Sequence, residues 1–142
     1  MSRKSELFLI LLISSMFLIN IADSRLNLKI YWRPSCFLAD NYILNIWKAQ
    51  IYHPFDIEQI NFSSIRLEDL YPPVRLELGR VKHSIVISFK GLDVIQALFG
   101  KCSNLDPGGI YIIELCVKFQ YRKIMFYATG SIKLIIPPIL PP

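Results

Sequence analysis

The chain has 142 residues, which is the size of one ordinary domain and leaves no room for a second. A domain of this size buries about two thirds of the surface that its unfolded chain exposes, so it can form a true hydrophobic core. Its net charge of +5 comes from scattered Lys and Arg residues, which indicate solvated strand faces or, alternatively, attraction to anionic membrane surfaces or acidic glycans.

The N-terminus has the three parts of a secretory signal peptide. Arg3-Lys4 is a short positive region, Leu7 to Ile19 is almost entirely apolar, and Ala22-Asp23-Ser24 supplies small residues for cleavage before Arg25. The alternative is an uncleaved membrane anchor, but the apolar run is shorter than the roughly 20 residues that a membrane span needs. We therefore predict a signal peptide at residues 1–24 and a secreted domain at 25–142.

The rest of the chain alternates between apolar and polar residues with a period of two, which is typical of half-buried antiparallel strands. In the segment Ile110–Phe119, for example, Tyr111, Ile113 and Leu115 face one way and Glu114 faces the other. Strands are predicted, in chain order, at Leu26–Trp32, Tyr42–Tyr52, Ile57–Leu67, Val74–Leu78, Ser84–Phe89, Ile110–Phe119 and Ile124–Ile136.

Turn residues separate these strands, and the segment Leu92–Phe99 between two of them is predicted as a short helix or a loop. Pro and Gly punctuate the chain at Arg33-Pro34-Ser35, His53-Pro54, Tyr71-Pro72-Pro73 and Asp106-Pro107-Gly108-Gly109. Seven or eight strands in this arrangement predict an all-β domain, specifically an immunoglobulin-like β-sandwich of two antiparallel sheets.

Three cysteines remain after the predicted cleavage, at Cys36, Cys102 and Cys116. An oxidising compartment favours disulfide formation, and an odd number leaves one thiol over. The spacing allows either a Cys102–Cys116 disulfide or a Cys36–Cys116 disulfide. Asn61-Phe62-Ser63 is the N-glycosylation sequon, and it predicts an exposed strand end or loop at that point.

Motifs for catalysis are missing from the sequence. There is no G-x-S-x-G segment, the carboxylates are spread singly, and Gly108-Gly109 precedes a predicted strand and not a helix. His53 and His83 are isolated and there is no C-x-x-C pair, so neither a metal site nor a cofactor is expected. Nucleic acid is not an expected partner, because a secreted chain without a recognisable binding module gives no reason to predict it.

A series of short motifs resembles the ML lipid-recognition family, and within it the ganglioside-activator type. These motifs are the aromatic-x-x-Cys segment Tyr31–Cys36, the strand end Gln50–Phe55, the proline-containing strand entry Leu70–Val74, the P-G-x-Y strand Asp106–Ile113 and the closing strand Met125–Ile136. The resemblance implies two sheets that hold a lipid between them without chemistry of their own. In that family the closing strand usually has a cysteine that forms a disulfide with the first cysteine of the domain. The corresponding position in this chain is near Ala128, so Cys36 lacks that partner.

We therefore expect a secreted, non-catalytic lipid-binding protein in the extracellular fluid or the endolysosomal lumen. Its mouth is expected around Leu92–Phe99, with Lys90 and Lys101 near lipid headgroups and transient membrane contact. The alternative is a β-sandwich with a filled core that acts through its surface on a protein receptor or as an adhesion module. The residues expected to contact the lipid are Ile85, Ile87, Phe89, Leu98, Phe99, Ile113, Leu115, Val117, Phe119 and Phe126.

Overall fold

The computed structural model describes residues 27–39 and 46–138, so the predicted signal peptide lies outside the described residues. These residues form eight strands, one α-helix and a short 3-10 helix, which confirms the all-β fold class. No helix in the described ranges is long and apolar enough to cross a membrane. The strands are β1 (Asn27–Arg33), β2 (Cys36–Leu38), β3 (Ile46–Tyr52), β4 (Ile60–Leu67), β5 (Arg75–Leu78), β6 (Ser84–Lys90), β7 (Ile110–Tyr121) and β8 (Ile124–Ile135).

The elements follow the predicted order, with one open alternative decided and two differences. The segment predicted as helix or loop is the helix α1 (Gly91–Gly100). The predicted strand at 57–67 begins with a 3-10 helix (Ile57–Gln59), because the Asp56 carboxylate accepts a hydrogen bond from the Glu58 N–H at 3.3 Å and caps the turn. Strand β2 was not predicted, since three residues are too few to show an alternating pattern. Residues 42–45 of the strand predicted at 42–52 lie outside the described ranges.

Strands β7 and β8 form the longest hairpin, with paired residues from Ile110 opposite Ile135 to Tyr121 opposite Ile124. Only Arg122 and Lys123 connect the two strands, and both have positive φ angles, 49° and 65°. Two positive φ values in a two-residue loop are typical of a type I′ turn, whose twist matches that of the flanking strands. Arg and Lys adopt this conformation at a cost that Asn and Gly largely avoid.

Replacing Arg122-Lys123 by Asn-Gly should therefore stabilise the protein. We expect a gain of about 1 kcal/mol in the free energy of unfolding, because the new residues favour the left-handed conformation that the turn already has. Chemical denaturation of the two proteins measures the difference. A loss of stability would contradict a type I′ turn at this position.

The strands form one continuous sheet in the order β4-β7-β8-β1-β3-β6-β5, with β2 beside β8. Strand β1 joins two halves of this sheet, one with β4, β7, β8 and β2 and the other with β3, β6 and β5. Its residues Asn27–Lys29 pair with β8, whereas Ile30–Arg33 pair with β3. At the ends of the sheet, β5 contacts the 3-10 helix that leads into β4, so the sheet nearly closes into a barrel. The prediction of two separate sheets is therefore not confirmed.

Strand direction also differs from the prediction in one place. Strand β8 pairs with β1 and β2 in parallel and with β7 antiparallel, while the other neighbours are antiparallel. An alternating pattern reports which face of a strand is buried, but it is the same for parallel and antiparallel neighbours. The direction of pairing follows from the path of the chain.

The core lies between the two halves of the sheet and is filled by the inward residues of nearly every strand. The largest of these side chains are buried and pack against one another as aromatic pairs. Phe37 packs against Trp47 with ring centroids 5.3 Å apart, and Trp32 packs against Phe89 at 6.2 Å. Burial of each such side chain contributes about 1.5–3 kcal/mol, so this cluster is the main source of stability. Helix α1 covers one side with Val94, Ala97 and Leu98.

Candidate functional site

Of the ten residues predicted to contact a lipid, nine lie in or against this core, and Phe99 is the exception. Phe126 is half-buried and packs in parallel on Phe119, with ring centroids 5.9 Å apart, and Phe99 is exposed at the end of α1. The other eight are buried. They are Ile85, Ile87, Phe89, Leu98, Ile113, Leu115, Val117 and Phe119.

The predicted mouth is a helix that turns two apolar side chains, Leu92 and Phe99, toward solvent. Of the two lysines expected near lipid headgroups, Lys90 is exposed at the start of α1. Lys101 instead has partners within the protein: its Nζ lies 2.9 Å from the Glu68 Oε1 and donates a hydrogen bond to the Glu114 carbonyl at 2.7 Å. Lys101 is therefore engaged in holding the end of the helix to β7.

Three clefts open on the surface of the described residues, and none is lined by the ten predicted residues. The first, of about 610 Å³, lies where β1 leaves β8. The second, of about 420 Å³, brings His53 and His83 to one cleft although they are thirty residues apart in sequence. Within residues 27–39 and 46–138 no group of three or more His, Cys, Asp or Glu side chains could hold a metal ion.

The third cleft, also about 420 Å³, lies on the outer face of β1, β3, β6 and β5, and we call it the cationic cleft. Its charged lining residues are Arg33, Lys48, Arg80 and Glu77, which give a formal excess of two positive charges. Arg33 and Lys48 are direct neighbours on β1 and β3, and Arg80 comes from the hairpin between β5 and β6. The cleft thus combines side chains from three distant parts of the sequence.

Two rows of outward side chains cross the sheet at the cationic cleft. In the first row Arg33, Lys48, Ser88 and Arg75 are in register on β1, β3, β6 and β5. In the second row Gln50 lies between Tyr31 and Val86, with Glu77 at the end, and it is only 5% exposed although it lines the cleft.

Among the described residues, the basic residues of the cationic cleft have no acidic partners. The ion pairs within the described ranges are Arg75 with Glu77 at 4.0 Å, Lys101 with Glu68 at 2.9 Å and Lys118 with Asp69 at 2.7 Å. The Asp69 hydrogen bond raises the pKa of Lys118. Arg33, Lys48 and Arg80 take part in none of these pairs. Their positive charges are therefore available to an external anion.

All three cysteines are free thiols in the structure. Cys36 is opposite Lys133 on one side of β8, and Cys116 is opposite Thr129 on the other side. The two are four residues and two strand spacings apart, roughly 16 Å, which is too far for the Cys36–Cys116 disulfide. A bond between Cys102 and Cys116 stays a prediction. Burial raises the pKa of both these thiols, and at Cys116 the nearby Glu68 carboxylate adds to the effect.

The sequon at Asn61 lies at the start of β4, and its side chain is exposed. The Ser63 hydroxyl donates a hydrogen bond to the Asn61 Oδ1 at 2.7 Å, and the Asn61 Nδ2 donates to the Gln120 Oε1 at 3.4 Å. Glycosylation of Asn61 stays a prediction. The exposed position leaves room for a glycan on the outer face of this half of the sheet.

Nothing in the sequence assigns a binding role to Arg33, Lys48, Gln50 or Arg80, and the three basic residues belong to its scattered Lys and Arg residues. Their alternation with apolar residues indicates a solvated face but not which strands are neighbours. The signal that identifies the cleft is therefore the register of β1, β3 and β6, which depends on the whole fold.

Comparison with known proteins adds no relative from which a function can be inferred. No protein-family model, curated protein or solved structure matches this chain. The resemblance to the ML lipid-recognition family accordingly stays a prediction from the short motifs.

Proposed function

We propose that this protein is a secreted, non-catalytic β-domain that binds its partner through its outer surface. The observation that carries the proposal is the position of the predicted lipid contacts. Eight of those ten residues are buried in one cluster with the aromatic side chains of the core. A core packed in this way leaves the outer faces of the strands as the surface on which a partner can bind.

The cationic cleft is the part of that surface with the clearest chemical character. It joins positive side chains from β1, β3 and the β5–β6 hairpin, and the described residues supply Arg33, Lys48 and Arg80 with no carboxylate partner. The proposal treats the two halves of the sheet as the layers of an immunoglobulin-like sandwich whose interior is filled. A lipid held between those layers is the competing proposal, and it requires the layers to separate.

Native mass spectrometry of the protein secreted from eukaryotic cells distinguishes these proposals. We expect a mass without bound lipid, which persists after incubation with mixed lipid vesicles, together with an unchanged melting temperature. Organic extraction of the same sample serves as the control for lipid lost during ionisation. A mass excess that resolves into one or a few lipid species would overturn the surface proposal and establish an internal lipid site.

A further inference from the structure

The arrangement of charge in the cationic cleft indicates which chemical group it binds. Arg33 and Lys48 are adjacent on neighbouring strands, about 5 Å apart between backbones, and Arg80 lines the same cleft. Like charges held this close repel one another, so the arrangement is stabilised when an anion binds between them. Within the part of the chain that the structure describes, Glu77 is the one acidic side chain that lines the cleft, and it opposes this effect.

The row of cations is longer than a single small anion. From Arg33 on β1 to Arg75 on β5 the first row crosses three strand spacings, about 14 Å. Ser88, between Lys48 and Arg75, is fully buried and presents no group to a ligand, and Arg75 is paired with Glu77 at 4.0 Å. A phosphate or sulfate ion would contact only part of this row. A chain with repeated anionic groups would reach the exposed Arg33 and Lys48 at one end of the row and Arg75 at the other.

The donors in the cleft suit oxyanions attached to a polar chain. An arginine side chain can donate two parallel hydrogen bonds to a sulfate or carboxylate group, and a lysine adds a point charge. Gln50 contributes an amide that can donate to a hydroxyl or an anionic oxygen. We propose that the cationic cleft, with Arg33, Lys48 and Arg80 as its main contacts, binds a sulfated polysaccharide.

A lipid bilayer fits this cleft less well than an extended polysaccharide does. The hairpin between β5 and β6 exposes Leu78 and Val81 beside the cations, which is a feature of membrane contact as well. However, the surface of a vesicle meets protruding side chains, whereas Gln50 is 5% exposed. A flexible polysaccharide can place single sulfate groups within the cleft.

The test measures the affinity of the secreted protein for heparin by isothermal titration at low salt. The variant Arg33→Ala with Lys48→Ala should bind about tenfold or more weakly, which corresponds to about 1.4 kcal/mol. The matched control, Lys123→Ala with Lys133→Ala, removes the same charge from exposed positions outside the cleft. We expect this control to change the affinity by less than about twofold.

Glu77→Gln provides a test of the opposite sign. It removes the acidic side chain from the cleft, so we expect heparin to bind about two- to threefold more tightly. Tighter binding by a variant that melts like the wild type cannot be attributed to loss of the cleft, which keeps this variant informative if the alanine variants are unstable. Circular dichroism and thermal melting confirm that each variant is folded.

Several results would overturn this inference. Equal losses in both double variants would show that net charge alone attracts heparin. Complete competition by sodium sulfate at matched ionic strength would show a site for small anions only. Binding to phosphatidylserine vesicles without binding to heparin would assign the cleft to membranes. The inference rests on the proposed function, but its failure is distinguishable: an absence of heparin binding by a lipid-free protein leaves the surface proposal intact.

Discussion

Replacing Gly130 by alanine is expected to destabilise the protein by about 2–4 kcal/mol. Gly130 is an inward residue of β8 at the point where β1 leaves that strand. A Cβ atom added there would overlap the Ile30 carbonyl oxygen and lie 2.7 Å from the Ile30 Cβ. Ile30 is part of the paired strand β1 and its side chain lies in the core. The overlap can therefore be relieved only by moving β1 away from β8.

A second contact at the same residue adds to the expected loss. The Trp32 indole Nε1 donates a hydrogen bond to the Gly130 carbonyl at 3.2 Å, and this bond ties the second part of β1 to β8. A displacement of β1 would weaken that bond, and a buried donor without a partner costs about 1–3 kcal/mol.

Gly100→Ala is the matched control for this substitution. Gly100 is the last residue of α1, and no atom of residues 27–39 or 46–138 outside its immediate neighbours lies within 4 Å of an added Cβ. Since alanine is a better helix former than glycine, this variant should have equal or slightly greater stability. Chemical denaturation of the two variants measures the difference. A Gly130→Ala protein as stable as the wild type would contradict the close approach of β1 to β8.

Replacing Phe89 by alanine is expected to cost about 3–5 kcal/mol of unfolding free energy. Phe89 has no exposed surface, lies opposite Trp47 on β3 and packs against Trp32 on β1. Truncation removes the transfer free energy of the ring and leaves a cavity in the middle of the core. The melting temperature should therefore fall by roughly 10 °C or more.

Phe62→Ala is the control for the loss of a phenyl ring as such. Phe62 is on β4 and is 44% exposed, so its truncation should cost less than about 1 kcal/mol. Thermal melting followed by circular dichroism compares the two variants. If Phe89→Ala melted within a few degrees of the wild type, the interior would be loosely packed. That result would favour a lipid cavity between the two halves of the sheet over a filled core.

The positions of most strands could be predicted from the sequence because alternation is a local property. Val74, Leu76 and Leu78, or Ile113, Leu115 and Val117, differ from their neighbours whatever the rest of the fold does. The same pattern correctly predicted burial at Ile85, Ile87 and Phe119. It could not tell whether these residues enclose a ligand or one another, since both arrangements place apolar side chains on one face.

The cationic cleft shows the opposite situation. Arg33, Lys48 and Arg80 occupy ordinary solvent-facing positions of three separate segments, and nothing local distinguishes them from Lys118 or Lys133. Their meeting depends on β1 pairing with β3 and on the hairpin between β5 and β6. Lys101 shows the same effect in reverse, because a residue expected to contact lipid headgroups has an ionic partner in Glu68.

The all-β class, the order of the elements and the inward faces of most strands could be predicted from local pattern alone, because each follows from the alternation of neighbouring side chains. Strand β5 is an exception, since Leu78 is exposed. Three features depend on the whole fold: β1 joins two halves of one sheet, β8 has parallel partners, and Arg33, Lys48 and Arg80 line one cleft. Strand pairing is chosen by contacts between residues far apart in the chain, and a period of two is the same for every possible neighbour.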